Sequence, residues 1–152
     1  MKPGNLIALI CAILVLSACQ GKPPEPITVD TDNEFILAPS QIATIIGTDI
    51  NIKFISVSSD ERCPNGMECA MSGPVTVSLS TQSGNAPEES LVLQTFTDGN
   101  GRAPEMHFEG IDNSSAIGNF LIQVKAVTPY PQGSFGPIKD RDYRVTLLVT
   151  QK

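Results

Sequence analysis

The chain has 152 residues, within the span of about 100–200 that one domain usually takes. Sixteen acidic residues against ten basic ones give a formal charge of −6. An acidic chain without Lys/Arg clusters is poorly built to neutralise phosphates, which excludes nucleic acid as a partner.

The chain opens with Lys2 and then the apolar run "LIALICAILVL", Leu6 to Leu16. A membrane-spanning helix needs roughly 20 apolar residues, so this run is too short to span and fits the apolar centre of an export signal. It ends in Leu16-Ser17-Ala18-Cys19. That ending resembles the lipobox of bacterial lipoprotein precursors. The resemblance implies a signal peptide over 1–18, a diacylglycerol thioether on Cys19, cleavage after Ala18, and N-acylation of Cys19 by a fatty acid such as palmitate. Several acyl chains, each contributing about 0.8 kcal/mol per buried CH₂, give a stable membrane anchor where one would not. Gln20 follows the cysteine. In enteric lipoproteins Asp at that position favours inner-membrane retention, so Gln20 favours the outer membrane in a host that has one.

Residues 19–33 are expected to be a lipid-anchored tether, because Pro23, Pro24 and Pro26 favour an extended spacer. The domain is expected over 34–152, where the pattern turns to β. "EFIL" begins a short strand that breaks at Pro39-Ser40. Ile42 to Ile46 reads as a strand or as one helical turn. "INIKFISVSS" alternates, with Ile50, Ile52, Phe54 and Ser56 on one face and Asn51, Lys53, Ile55 and Val57 on the other. In "PVTVSLST", Val75, Val77 and Leu79 alternate with Thr76, Ser78 and Ser80. "SLVLQTFT" follows, then the turn signal "DGNG" at 98–101, since Asp-Gly and Asn-Gly tolerate positive φ. "EMHFEG" reads as a short strand. "GNFLIQVKAV" places Phe120, Ile122, Val124 and Ala126 inward, and "YRVTLLVT" closes the chain. Seven to eight strands at about 8–12-residue spacing, with Gly, Pro and Asn between them, predict an all-β, immunoglobulin-like antiparallel sandwich. Residues 34–152 are enough to bury a core that does not depend wholly on a cross-link.

Cys63 and Cys69 are the only cysteines in the body of the chain. They bracket Pro64-Asn65-Gly66, which is turn chemistry able to bring two Cα atoms within bridging reach. An exported domain sits where disulfides persist, so a Cys63–Cys69 bridge is expected. The alternative is a copper-type metal site using the Cys63–Met71 loop, with Met67 and Met71 as soft donors. Two cysteines fall short of the four ligands of structural zinc, and no Cys-x-x-Cys opens a helix as a redox pair would require. The segment is similar to a loop in small bacterial lipoproteins that reads Asp-Ser-Arg-Cys-Pro, four residues, Cys, then a short step to Gly. The matching residues are Asp60, Arg62, Cys63, Pro64, Cys69 and Gly73; Glu61 replaces the Ser, and Met71 stands where an aromatic is usual. The similarity continues into "EFILAPSQIATI" and "VTPYP". It implies a secreted β-domain with a bridged loop and carries no activity with it.

His107 is the sole histidine. On a strand it would share a face with Glu105 and Glu109, but residues two apart on a strand stand about 7 Å apart and chelate poorly. "DGNGR" from Asp98 faintly resembles a calcium loop, yet Arg102 stands where an oxygen donor is needed. There is no Gly-x-Ser-x-Gly elbow and no phosphate-binding Gly loop. The Pro/Gly-rich stretch 128–143 carries Tyr130 and Phe135, aromatic candidates for a binding loop together with Met67 and Met71. The expectation is therefore a non-enzymatic, lipid-anchored envelope protein with a binding or structural role. Its partners would be the membrane, through the anchor, and an envelope protein, with no cofactor.

Overall fold

The computed structural model describes residues 22–133 and 136–152. The expected signal peptide, Cys19 and Phe135 lie outside those residues. The described chain forms nine strands: β1 (Ile27–Val29), β2 (Glu34–Leu37), β3 (Ile42–Ile45), β4 (Ile50–Asp60), β5 (Val75–Ser83), β6 (Glu89–Thr95), β7 (Ser114–Ile117), β8 (Phe120–Thr128) and β9 (Arg144–Gln151). One sheet runs β1-β3-β4-β5-β6 and the other β2-β9-β8-β7. Every pairing is antiparallel except β1 with β3.

The architecture is the expected all-β sandwich. Phe35, Leu37, Ile45, Ile52 and Phe54 pack with Val77, Leu79, Leu93, Ile122, Val124, Leu147 and Val149 in one core drawn from both sheets. Alternation places Val75, Val77 and Leu79 of β5 in the core as read, while Thr76 and Ser80 on its other face are buried too. It fails where a strand holds an extra residue, because a bulge turns the following side chains to the other face. The β4–β5 register shifts between Phe54 and Ser56 and again between Val57 and Ser59. Val57, expected to face outward, packs against the core, and Ser56 is not a core residue. The β8–β9 register shifts between Val124 and Ala126; Ala126 is buried as expected, and Val127 joins the core cluster beyond it.

Two further expectations change. Residues 27–29 of the expected tether form β1, Ile46 N donates to Val29 O, and Asp32 N donates to Val149 O. Strand structure therefore begins at Ile27, inside the stretch expected to be tether, and Glu25 O already accepts from Gln41 Nε2 at 2.8 Å. The segment 105–110 forms no strand. It bulges from the edge between β6 and β7, where Phe108 meets Phe96 edge-on at 5.0 Å. His107 thus does not share a strand face with Glu105 and Glu109; Glu105 instead takes the Lys125 ammonium at 2.8 Å.

The ends of the sandwich differ. Asp60 pairs with Val75, Val75 with Thr95, and Thr128 with Arg144, so one end carries the long loops 61–74, 96–113 and 129–143. The other end is closed by the short turns after Ile45, Ser83 and Ile117.

Candidate functional site

At the long-loop end a charged side chain lies inside the protein. Arg62 is 3% exposed. Buried guanidinium is tolerated only when paired and hydrogen-bonded throughout. Its Nε donates to Asp60 Oδ1 at 2.7 Å and its Nη2 to Asp60 Oδ2 at 2.6 Å, a bidentate fork. Nη1 donates to Val127 O at 2.7 Å and Nη2 also to Pro129 O at 3.1 Å. The Tyr130 ring lies 5.1 Å from the guanidinium carbon, within cation–π range. The Tyr143 hydroxyl donates to Asp60 Oδ2 at 2.9 Å. Burial pushes the Asp60 carboxyl up, but the hydrogen bonds and charge of Arg62, joined by Tyr143, outweigh it and hold the carboxyl below its ordinary value. Burial pushes the Tyr143 phenol up, and the bond to Asp60 adds to that shift.

This network fastens the cysteine loop to the stretch after β8. Tyr130 Oη donates to Cys63 O at 2.9 Å, Asn65 N to Pro131 O at 2.9 Å, and Gly133 N to Asn65 O at 3.1 Å. The sulfurs of Cys63 and Cys69 meet at bonding distance, with their Cα atoms 5.9 Å apart. The loop closes at its base, where Gly73 N donates to Glu61 O at 2.8 Å. A Cβ at Gly73 would stand 2.5 Å from Glu61 Cβ, so only glycine permits that approach. Asp60, Arg62 and Gly73 of the motif thus each have a structural role.

Between the two fastened loops lies an open cleft of about 280 Å³, whose wall includes Pro64, Met67, Pro131, Gln132, Pro137 and Ile138. The candidate binding residues divide. Tyr130 is half-buried and committed to Arg62 and Cys63. Met67 lines the cleft against Gly133, and Met71 stands almost fully in solvent. With the sulfurs engaged to each other, the loop offers no thiolate donor in this state. Among the described residues no three His, Cys, Asp or Glu side chains cluster as a metal site would require. Asp98 closes its own turn instead of presenting a free carboxylate: Oδ1 accepts the N–H groups of Asn100 and Arg102, each at 2.9 Å.

Asp60 and Arg62 belong to the cysteine-loop motif, but their pairing and the part played by Tyr143 emerge only in the fold. The available signal was an Asp and an Arg two residues apart at the end of an alternating strand, directly before a loop cysteine. No family model, curated protein or solved structure matches this chain.

Proposed function

We propose that this chain is a lipid-anchored cell-envelope β-sandwich protein with a binding or structural role and no catalysis. Its domain lies outside the cytoplasm, on the outer membrane in a host that has one. The lipobox-like Leu16-Ser17-Ala18-Cys19 supports the anchor. The observation that carries the binding role is the fastening of two long loops into one surface by a buried Arg62. A loop ordered before contact loses less entropy on binding, which is how a small rigid surface gains affinity. The charged groups beside the cleft serve that purpose: both Asp60 oxygens are occupied and Tyr143 donates to one of them. A photoreactive residue at Gln132 or Met67, activated in intact cells, tests the reading. The expected result is a discrete adduct with an envelope component. Adducts no stronger than those from Lys53, out on the sheet face, would overturn it.

A further inference from the structure

We propose that the long-loop end of the sandwich rests on the bilayer that holds Cys19, with Met71 at the lipid surface. The inference rests on the lipid-anchor reading and adds which face meets the membrane.

The direction of β1 sets this orientation. Ile27 lies beside Ala43 in a parallel pair. The same offset of sixteen continues upstream, where Gln41 Nε2 donates to Glu25 O at 2.8 Å. Phe54 N donates to Gln41 O at 3.1 Å, so Glu25 stands level with Phe54 of β4. Going from Phe54 toward the long loops, Asp60 is six residues on, and Cys19 precedes Glu25 by six residues in the sequence. At roughly 3.3–3.6 Å per extended residue, both stretches span about 20 Å at most. Pro23 and Pro24 bias the tether toward that extended course. A Cys19 fixed at the lipid surface therefore holds Glu25 within about 20 Å of it, and β1 enters the sheet from the long-loop side. The 61–73 loop follows Asp60 at that end and carries Met71 into solvent.

The side chains there suit the contact. Met71 is 82% exposed and Met67 57%. Methionine is unbranched and adaptable, so it accommodates a disordered apolar boundary. Glu61 and Glu68 are exposed beside them. Those carboxylates would be repelled by anionic headgroups, so the surface that fits is zwitterionic.

The chain has no tryptophan, so one introduced Trp reports alone. The full chain, purified with its anchor, is bound to phosphatidylcholine vesicles carrying headgroup-nitroxide lipid. Met71→Trp places the reporter on the loop, and Glu68→Trp repeats the test nearby. Ile46→Trp places it at the opposite end, on a side chain that is also exposed. The expected result is severalfold stronger quenching for Met71→Trp and Glu68→Trp than for Ile46→Trp. Protein that floats with the vesicles but shows equal quenching at both ends, or stronger quenching at Ile46→Trp, overturns the orientation and leaves the anchor standing. Protein that carries no acyl mass and does not float overturns both.

Discussion

Removing the Asp60 carboxylate tests the buried network most sharply. Asp60 accepts from Arg62 Nε, Arg62 Nη2, the Arg62 backbone N–H and Tyr143 Oη, at 2.7, 2.6, 3.3 and 2.9 Å. In Asp60→Ala the guanidinium keeps Val127 O and Pro129 O but loses its only counter-charge, on a side chain with no exposed surface. Leaving one member of a buried pair unpaired costs about 3–5 kcal/mol. For a domain of this length that is a fall in Tm of about 10–15 °C, and a large part of the usual 5–15 kcal/mol total. Arg62→Met should cost about as much, because it orphans the carboxylate and frees two backbone carbonyls. The double variant should be less destabilised than the sum of the two, by at least about 2 kcal/mol, since neither charge is then left alone. Urea unfolding of the wild type, both single variants and the double variant gives the cycle. A loss under about 1 kcal/mol for Asp60→Ala, or strict additivity, would refute the claim that this pair fastens the loops.

Three other outcomes follow from the same geometry. Because the folded Asp60 carboxyl sits below its ordinary value of 3.8, its contribution is present above that pH and is lost as pH falls through the lowered pKa. Asp60→Asn should flatten part of the acid limb of a pH–stability profile, and Glu34, Asp98 and Glu105, also lowered, should retain the rest; an unchanged limb would contradict this. Gly73→Ala forces a methyl against Glu61 Cβ and should destabilise by about 1–3 kcal/mol, with faster amide exchange in 61–73 but not in β8; a neutral effect in urea unfolding would count against the close approach. Opening the Cys63–Cys69 link, whose partners are six residues apart, should cost only about 2 kcal/mol by loop-closure entropy. Full burial of one Leu, Ile or Phe contributes about 1.5–3 kcal/mol, so the reduced domain should keep its far-ultraviolet circular dichroism. Collapse on reduction would mean that the core is weaker than its packing indicates.

Much of the fold was legible because alternation is local. In β5, Val75, Val77 and Leu79 lie in the core where period two puts them, although Thr76, Ser80 and Thr81 are buried as well. Val57 was misplaced, and Val127 was not marked as core, because a bulge inserts one residue without leaving a mark in composition. β1 was hidden by its proline-rich surroundings, although Ile27-Thr28-Val29 carries two β-branched neighbours of Thr28, typical of strands. The site was less legible for a different reason. Tyr143 and Asp60 are 83 positions apart, and no local pattern announces a contact made only when two sheets close. The cysteine loop was readable as a closed turn from Pro64-Asn65-Gly66, but its attachment to 128–133 depends on Arg62 being buried, and a single arginine in a sequence carries no mark of burial.

The proposed protein is an exported, acylated chain with a bridged loop. Its most direct test is the intact mass of the membrane-extracted protein, alkylated under denaturing conditions with and without reductant. The expected mass is that of a chain starting at Cys19 plus its acyl groups, with two further alkyl groups, on Cys63 and Cys69, only after reduction. An unacylated chain retaining residues 1–18, or free labelling of both cysteines without reductant, would contradict it.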